Sequence, residues 1–276
     1  MRPTALIVRT AGTNCDRELA HAFTLAGADP RTVHLNALLE DPGLLESAAI
    51  VGFPGGFSYG DDIAAGRILA NRLRHRLLDP LRAAIARKVP MIGICNGFQV
   101  LLKMGLLPDP AAASPQGRGG QVATLTDNDS GRFIDRWVQL DVPPQTVCLW
   151  VRPLARATGA PGLALPIAHG EGRFVPESDQ VLEQLRSQGQ IALRYACTEG
   201  NQNPNGSVDA IAGICDPSGL VLGLMPHPER FTDWTNHPLW TRLGPTARSG
   251  PPAGLAMFQH AVEHVRTRAG VHPGVD

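Results

Sequence analysis

Short apolar runs alternate with amphipathic segments through the first part of the chain. Thr4–Val8, Ala48–Phe53 and Pro90–Ile94 are nearly uninterrupted apolar runs of strand length, which is typical of strands buried on both faces of a parallel sheet. Thr32–Leu35 is a further candidate strand. Helical spacing of apolar residues marks the segments Glu18–Leu25, Arg72–Lys88 and Phe98–Met104. This alternation predicts a mostly parallel sheet with helices on both faces.

The pattern changes after residue 105. A loop rich in Pro, Gly and Ala occupies residues 108–120, and short apolar runs separated by turn residues follow it. Strands in such an order predict an antiparallel subsheet. A helical pattern at Leu255–Arg268 is the last clear element. The candidate strands of this half are Val122–Leu125, Arg132–Leu140, Leu149–Val151, Leu163–Ala168, Ile191–Tyr195, Ala210–Cys215 and Val221–Met225.

The expected fold class is therefore α/β, with a mostly parallel central sheet, helices on both faces and an antiparallel subsheet. Neither an internal repeat nor an interdomain linker is visible in the sequence. A chain of 276 residues can form one large domain or two small ones, so the absence of a linker decides. We therefore expect one domain over residues 1–276.

Composition and charge narrow the classes of function. Hydrophobic residues make up 43% of the chain and charged residues 18%, which is typical of a folded protein with a substantial core. The 25 basic and 25 acidic residues balance, so the chain lacks the basic character expected of a nucleic-acid binder. No apolar run approaches the roughly 18 residues needed to cross a membrane, and none resembles a signal peptide. We therefore expect a cytoplasmic protein that binds neither nucleic acid nor membrane.

Five cysteines are scattered along the sequence without a C-x-x-C spacing. An odd number without that spacing argues against both a disulfide framework and a zinc site. Cys148, Cys197 and Cys215 lie in apolar runs and are predicted core residues. Cys15 follows a turn that can bring it to the same end of the sheet as Cys95, but we favour packing as its role.

Cys95 differs from the other cysteines in its surroundings. Gly93-Ile-Cys-Asn-Gly97 lies between a buried strand and a helix, in the pattern of a nucleophile elbow. Small flanking residues let a nucleophile project from the strained turn, and the helix N-terminus stabilises negative charge. Asn96 would then offer its backbone N–H to an oxyanion. The structural alternative is a buried cysteine in a glycine-rich strand end.

Two further segments supply the groups that a cysteine nucleophile needs. His227 follows an apolar strand between two prolines, and Glu229, two residues on, can orient its imidazole. Gly55 and Gly56 follow another strand and leave a backbone N–H unobstructed, as a second oxyanion donor requires. An ordinary strand-to-helix connection also explains these glycines, whereas neither common phosphate-binding motif is present. Together the three segments predict a site for amide hydrolysis through a thioester.

In this order the motifs resemble those of the class I, triad-type glutamine amidotransferases. The sequence is similar in particular to the glutaminase subunits of phosphoribosylformylglycinamidine synthases, a family of purine biosynthesis. The elbow and the His-x-Glu motif mark the wider class, and the remaining motifs resemble the subunit family. The segments that carry the resemblance span nearly the whole chain: Gly12–Asp16, Pro54–Asp62, Gly93–Gln99, Asn128–Phe133, Ala168–Phe174, Asn203–Ser207 and Gly223–Arg230.

The resemblance implies a reaction and a set of partners. Cys95 would attack the side-chain amide of glutamine, His227 and Glu229 would move the protons, and Gln99 would lie near the bound glutamine. Ammonia would pass to a separate synthetase subunit that converts formylglycinamide ribonucleotide to its amidine and uses ATP and magnesium. A small third subunit bridges the assembly in many bacteria. For this chain itself the resemblance implies no metal and no cofactor.

Three segments depart from the compact form of that subunit family. Residues 108–120 and 231–252 are longer, and Cys197–Gln202 precedes the Asn-Pro-Asn-Gly-Ser motif in an unusual way. We interpret residues 108–120 and 231–252 as surface insertions of the single domain. They leave the predicted catalytic residues untouched, and they bear on the surface that meets the partner.

Four residues in the family motifs have no assigned part in this chemistry. His169 and Glu171 offer two potential ligands without a third, which disfavours a metal site or a second catalytic pair. The resemblance places their segment in the structure or at the partner interface. Arg132 and Arg173 either bind a carboxylate or the partner, or are simply solvated or ion-paired.

Two other classes of function remain open. The same fold and elbow occur in cysteine hydrolases and peptidases, which would cleave peptides in place of glutamine. A binding or regulatory module without activity is the second alternative, and the loss of a catalytic residue would favour it. Cys95, His227 and Glu229 are all present, so the sequence favours the enzyme.

Overall fold

The computed structural model describes residues 2–112, 121–156, 163–197, 203–245 and 248–270. Its strands are β1 (Thr4–Arg9), β2 (Asp29–His34), β3 (Ile50–Phe53), β4 (Met91–Ile94), β5 (Ala123–Thr126), β6 (Ile134–Asp141), β7 (Leu163–His169), β8 (Arg173–Pro176), β9 (Ile191–Tyr195), β10 (Ile211–Cys215) and β11 (Val221–Leu224). Its α-helices are α1 (Asp16–Leu25), α2 (Leu35–Glu40), α3 (Arg67–Ala86), α4 (Asn96–Met104), α5 (Asp179–Ser187) and α6 (Ala253–Arg268).

The main sheet has nine strands in the order β2-β1-β3-β4-β11-β10-β9-β6-β7. The first five strands in that order run parallel to their neighbours, and every residue of β3, β4 and β11 is buried. The other four continue the sheet in antiparallel pairing, and β5 pairs with β8 in a separate antiparallel sheet. The predicted fold class is confirmed.

Helices cover both faces of the parallel strands. On one face α1 packs against β3, where Leu19 and Phe23 lie over the bare backbone of Gly52. Helix α6 packs beside α1, with the rings of Phe23 and Phe258 at 5.1 Å between centroids. On the other face α4 lies over β4 and β11 and contacts α3. Apolar side chains on both faces explain why these strands lack polar alternation.

Two predicted strands differ from the structure. The strand prediction for Leu149–Val151 is wrong, because the segment forms turns and its N–H groups bond to loop carbonyls. Trp150 is fully buried there and donates its indole N–H to the Leu220 carbonyl at 2.9 Å. The strand predicted at Thr32–Leu35 is Asp29–His34, since pairing with β1 continues from Asp29 and Leu35 begins a helix. In both cases hydrogen-bonding partners, and not hydrophobicity, decide the element.

The predicted insertions are only partly described. Within them, residues 113–120 and 246–247 lie outside the described residues. The described part of 231–252 forms two short 3₁₀ turns, Trp234–Asn236 and Trp240–Arg242. Its role as a surface insertion stays a prediction. Throughout the described ranges, no helix combines the length and the apolar character needed to cross a membrane.

The carboxyl ends of β3, β4 and β11 lie side by side in the middle of the sheet. Strand β4 is hydrogen-bonded to β3 on one side and to β11 on the other. The three strands lead directly into Gly55, Cys95 and the segment that contains His227. In open parallel sheets, the loops at this edge are where sites form.

Close packing of α4 against β11 gives a stability prediction. A methyl group at Gly223 would lie 2.0 Å from the Phe98 ring, whereas one at Gly244 meets no atom within 4 Å. We expect Gly223→Ala to lower the free energy of unfolding by about 1–3 kcal/mol through overpacking. Gly244→Ala is the matched control and should change it by less than about 0.5 kcal/mol. Chemical denaturation followed by circular dichroism measures both, and equal stabilities would contradict this packing.

Candidate active site

Cys95 lies at the junction of β4 and α4 with a strained backbone. Its φ and ψ are 52° and −107°, a combination that a non-glycine residue adopts only when its surroundings impose it. Gly97 permits the tight turn, because a side chain there would lie 2.0 Å from the Phe53 carbonyl oxygen. Gly93 has the same function, since a side chain there would meet Gly97. The predicted elbow is therefore present in the structure.

His227 and Glu229 form a buried pair after β11. Nδ1 of His227 lies 2.6 Å from Oε1 of Glu229, and both residues are almost fully buried. The backbone N–H of His227 donates to the Pro166 carbonyl of β7, which fixes the start of the 3₁₀ turn Pro228–Arg230. Burial opposes the charged imidazolium, but the carboxylate and two nearby thiols raise the pKa of His227 well above its ordinary value.

The bond between His227 and Glu229 leaves Nε2 of His227 directed at the thiols of Cys95 and Cys15. Because Glu229 accepts the Nδ1 proton, Nε2 is free to exchange a proton with a nucleophile. Nε2 is buried and makes no standard hydrogen bond within the described residues, although the thiols of Cys95 and Cys15 both lie near enough to raise the pKa of the imidazole. The Cys95 thiol itself donates to the Ala168 carbonyl at 3.8 Å.

The glycine pair after β3 closes the site from the other side. An atom added to Gly55 would lie 2.9 Å from Cε1 of His227, 3.3 Å from Sγ of Cys15 and 3.4 Å from Cβ of Cys95. Only a residue without a side chain fits between these three groups. The loop is held by bonds from Asn14 and Cys15 to the Gly55 carbonyl.

Gly56 has the backbone that a second oxyanion donor needs. Its φ is 138°, and a side chain there would lie 2.6 Å from the Gly12 carbonyl oxygen. Gly56 bridges Thr13 in antiparallel fashion through bonds made by its neighbours. Such a bridge leaves the N–H of Gly56 itself directed away from the Thr13 segment.

Asn96 and Gln99 form a buried hydrogen-bond network under the nucleophile. The Asn96 amide accepts from the Ser58 N–H at 3.2 Å, and donates to Gln99 at 2.9 Å and to Asp61 at 3.2 Å. Gln99 in turn donates to the Glu171 carbonyl at 2.7 Å. The amides of Asn96 and Gln99 thus together connect three segments of the protein. Its predicted proximity to bound glutamine stays a prediction.

His169 is a buried neutral imidazole beside this network. The Asn128 amide nitrogen donates to the carbonyls of Arg132 and His169, so its oxygen faces Nδ1 of His169 at 3.0 Å. Nδ1 therefore carries the proton. Burial and the charge of His227 lower the pKa of His169 to about 4. Within the described residues no third metal donor joins His169 and Glu171.

Cys15 is the residue that sequence reasoning undervalued. It is 1% exposed, and its Sγ accepts from Nη2 of Arg230 at 3.2 Å, while burial raises the pKa of the thiol. Donor atoms of Cys15, His227 and Glu229 lie within 4.8 Å of one another, the one such group of three in the described ranges. The predicted approach of Cys15 to the end of the sheet that carries Cys95 is present in the structure, and its predicted packing role stays a prediction. The Gly12–Asp16 motif was the available signal.

The other predicted residues lie outside this cluster. Cys148 and Cys215 are buried as predicted, whereas Cys197 is exposed, contrary to the prediction, because it follows the end of β9. Arg132 is exposed, and Arg173 is partly buried with an Nε that has no partner among the described residues. Neither arginine touches the catalytic cluster through a described hydrogen bond or ion pair, so their predicted roles stay open.

The buried state of His169 predicts a pH dependence of stability. An unfolded histidine gains a proton near pH 6.5, whereas folded His169 gains it only near pH 4. The unfolded state binds more protons in that window, so stability falls as the pH falls. In His169→Asn, the amide N–H can replace the Nδ1 donor and nothing titrates. Between pH 6.5 and pH 4, we expect the free energy of unfolding of the variant to fall by about 3 kcal/mol less than that of the parent. Urea unfolding at several pH values measures this, and parallel profiles would contradict it.

Comparisons with known proteins agree with this geometry. The CobB/CobQ-like glutamine amidotransferase domain matches residues 2–265. Phosphoribosylformylglycinamidine synthase subunit PurQ of Dehalococcoides mccartyi is 42% identical over 267 residues, which cover 95% of this chain and 97% of that protein. The subunit of the same name from Methanococcus maripaludis strain C7 is 39% identical, with 95% and 97% covered.

A solved structure agrees as well. The structure of PurLQS from Thermotoga maritima contains a chain that matches with a TM-score of 0.68 and 32% identity, covering 96% of this chain and 100% of that chain. Residues 2–265, which the family domain matches, include every strand of the main sheet and all segments around Cys95 and His227. The chain therefore belongs to the CobB/CobQ-like glutamine amidotransferase family and, within it, to the family of phosphoribosylformylglycinamidine synthase subunit PurQ.

Proposed function

We propose that this chain is the glutaminase subunit of a phosphoribosylformylglycinamidine synthase and hydrolyses glutamine to glutamate and ammonia through a Cys95 thioester. One observation carries the proposal: the Cys95 elbow faces an imidazole whose far nitrogen is held by Glu229 at 2.6 Å. A thiol, a base and an orienting carboxylate in this order form a complete set for nucleophilic amide cleavage.

The first step transfers a proton from the thiol to the imidazole. His227 takes the proton of Cys95 at Nε2, and Glu229 stabilises the resulting imidazolium through Nδ1. The raised pKa of His227 supports this role, because the protonated imidazole is stable in the buried site. The Cys95 thiolate then forms a bond to the side-chain amide carbon of glutamine, and the carbonyl oxygen becomes an oxyanion.

Two backbone N–H groups are proposed to stabilise that oxyanion. Asn96 is the first residue of α4, so the helix provides no acceptor for its N–H. Gly56 presents the second N–H from the opposite loop. When the intermediate collapses, His227 returns its proton to the departing ammonia and the thioester remains. Water, deprotonated by His227, then cleaves the thioester to give glutamate and restores the thiol.

The ammonia is proposed to pass to a synthetase subunit. The names of the relatives and of the Thermotoga maritima complex support such a partner. ATP and magnesium would belong to that partner, and a small bridging subunit would complete the complex. We place the reaction in the cytoplasm, where de novo purine synthesis takes place in this family.

Exposed apolar side chains on segments that adjoin the site residues support a docking surface. Phe57 follows the glycine loop, Ile63 lies in the next turn, and Phe133 packs near Gly170, beside the strand that contacts Cys95. Their side chains are 49%, 64% and 55% exposed. Large exposed apolar side chains beside a site are a feature of interaction surfaces. A partner bound here would receive ammonia without its loss to water.

A cysteine peptidase remains the rival with the same fold class. A glutaminase releases ammonia from free glutamine, whereas a peptidase would cleave a peptide panel and leave glutamine intact. The family membership favours glutamine as the substrate, because a relative that matches 95% of this chain is a phosphoribosylformylglycinamidine synthase subunit. Peptide cleavage without glutamine hydrolysis would overturn the proposal.

The nucleophile gives the direct test of the proposal. In the complex with the synthetase, Cys95→Ala should lower glutamine-dependent synthesis more than about a thousandfold, because no thioester can form. Synthesis from added ammonium salt should be unchanged, since the synthetase site is intact. Cys197→Ala is the matched control, because that thiol is exposed and its described hydrogen bond is to the Tyr195 carbonyl. Residual glutaminase activity in Cys95→Ala would disprove the assignment.

The docking surface gives a second test. We expect Phe133→Asp to weaken binding of the synthetase at least tenfold, because a buried carboxylate at an apolar contact costs more than about 1.4 kcal/mol. Leu25→Asp is the matched control: Leu25 is 45% exposed at the end of α1. Calorimetric titration of each purified variant with the synthetase measures the two affinities. Equal weakening, or none, would remove Phe133 from the interface.

A further inference from the structure

Three metal-ligand donors converge in the catalytic cluster. Sγ of Cys15, a ring nitrogen of His227 and a carboxylate oxygen of Glu229 lie within 4.8 Å of one another, and all three side chains are buried. Sulfur and nitrogen ligands of one tetrahedral zinc ion lie roughly 3.5 Å apart. Small side-chain rotations are therefore enough to bring such ligands around one ion.

Cys95 supplies a second thiol to the same imidazole. The contacts of Gly55 show that Cys15, Cys95 and His227 surround a single bare Cα position. Sγ of Cys95 bonds only weakly, at 3.8 Å, to the Ala168 carbonyl. Rotation about its Cα–Cβ bond would direct the sulfur towards Nε2 of His227. Two cysteine sulfurs and one histidine nitrogen are a ligand set that zinc prefers.

The surrounding residues already have the arrangement of an outer zinc shell. Glu229 holds Nδ1 of His227 at 2.6 Å, which leaves Nε2 as the ligand, as in the carboxylate–histidine–zinc arrangement. Arg230 donates to Sγ of Cys15 at 3.2 Å and would keep that hydrogen bond to a thiolate. The charges also balance, because two thiolates and Glu229 oppose Zn²⁺ and Arg230.

We propose that Cys15, Cys95 and His227 bind Zn²⁺, and that the bound ion inhibits the enzyme by occupying its nucleophile and its base. The inhibition rests on the proposed glutaminase function, whereas the binding does not. On binding, both thiols and the protonated Nε2 of His227 lose their protons to solvent. Two Zn–S bonds and one Zn–N bond form, with no change in oxidation state. The fourth position remains open to water. Cys15 differs from the other two ligands, because Cys95 is the proposed nucleophile and His227 the proposed base, whereas Cys15 has neither role.

Direct metal binding is the first measurement. The full chain, reduced and metal-free, is titrated with Zn²⁺ against a chromophoric chelator, and we expect one equivalent to bind. Cys15→Ser should weaken binding at least tenfold, since even outer-shell losses cost about 10- to 100-fold. Cys197→Ser, at an exposed thiol, is the matched control and should bind as the parent does. Co²⁺ should give the thiolate charge-transfer absorption of a tetrahedral site.

Inhibition is the second measurement. In the complex with the synthetase, Zn²⁺ should suppress glutamine-dependent synthesis more strongly than ammonia-dependent synthesis, and EDTA should restore it. The inhibiting concentration should rise at least tenfold in Cys15→Ser. Equal inhibition of parent and Cys15→Ser would overturn the role of Cys15. Zinc binding without any glutaminase activity in the metal-free protein would instead disprove the proposed function and leave the site intact.

A third measurement needs no variant. In the unmodified chain, Zn²⁺ should slow alkylation of Cys15 and Cys95 by iodoacetamide, as read by peptide mass spectrometry, while Cys197 reacts at an unchanged rate. Failure of one equivalent of Zn²⁺ to protect either thiol would overturn the proposal. This result does not depend on whether Cys15→Ser folds.

Discussion

The strained backbone of Cys95 is the constraint around which the site is built. At φ 52° and ψ −107°, the backbone strain of a non-glycine residue is on the order of 1–3 kcal/mol, and contacts in the surrounding structure must offset it. The hydrogen bonds of β4 to β3 on one side and to β11 on the other offset this strain. The glycines on either side of Cys95 supply the space, because the Phe53 carbonyl occupies the position of any side chain at Gly97. The thiol consequently projects beyond the sheet at the start of a helix.

Burial gives the groups around that thiol their chemistry. His227 and Glu229 are both excluded from water, so the carboxylate stabilises the imidazolium more strongly than it would at a surface. The same burial acts in the opposite direction on His169, which has no carboxylate partner and stays neutral. Two histidines near one another thus differ in charge because one has a carboxylate partner and the other an amide. Cys15 is buried in the same volume, where Arg230 donates a hydrogen bond to its sulfur and the neighbouring His227 lowers the pKa of the thiol against the effect of burial.

Sequence patterns predicted the elements that depend on local burial. The runs at β3, β4 and β11 are apolar because both faces are covered, so hydrophobicity alone identified them. Leu149–Val151 is just as apolar, yet it forms turns. Its burial comes from Trp150, which packs against Phe258 of α6 and bonds to the Leu220 carbonyl, and not from strand pairing. Cys197 follows β9 and is exposed although the residues of that strand are mostly apolar. Hydrophobicity reports whether a segment is buried, and it does not report what the segment's backbone bonds to.

The sequence by itself determined the α/β fold class, the family motifs, and Cys95, His227 and Glu229 as the candidate catalytic residues. Motifs carry that information because an elbow, a His-x-Glu pair and a glycine pair each require specific residue types within a few positions. Only the tertiary structure showed that Cys15 and Arg230 join the cluster, and that Gln99 binds the Glu171 carbonyl. These contacts join residues 72 to 215 positions apart. Neither spacing nor composition encodes such distances, because they follow from how strands and loops from different parts of the chain meet at one edge of the sheet.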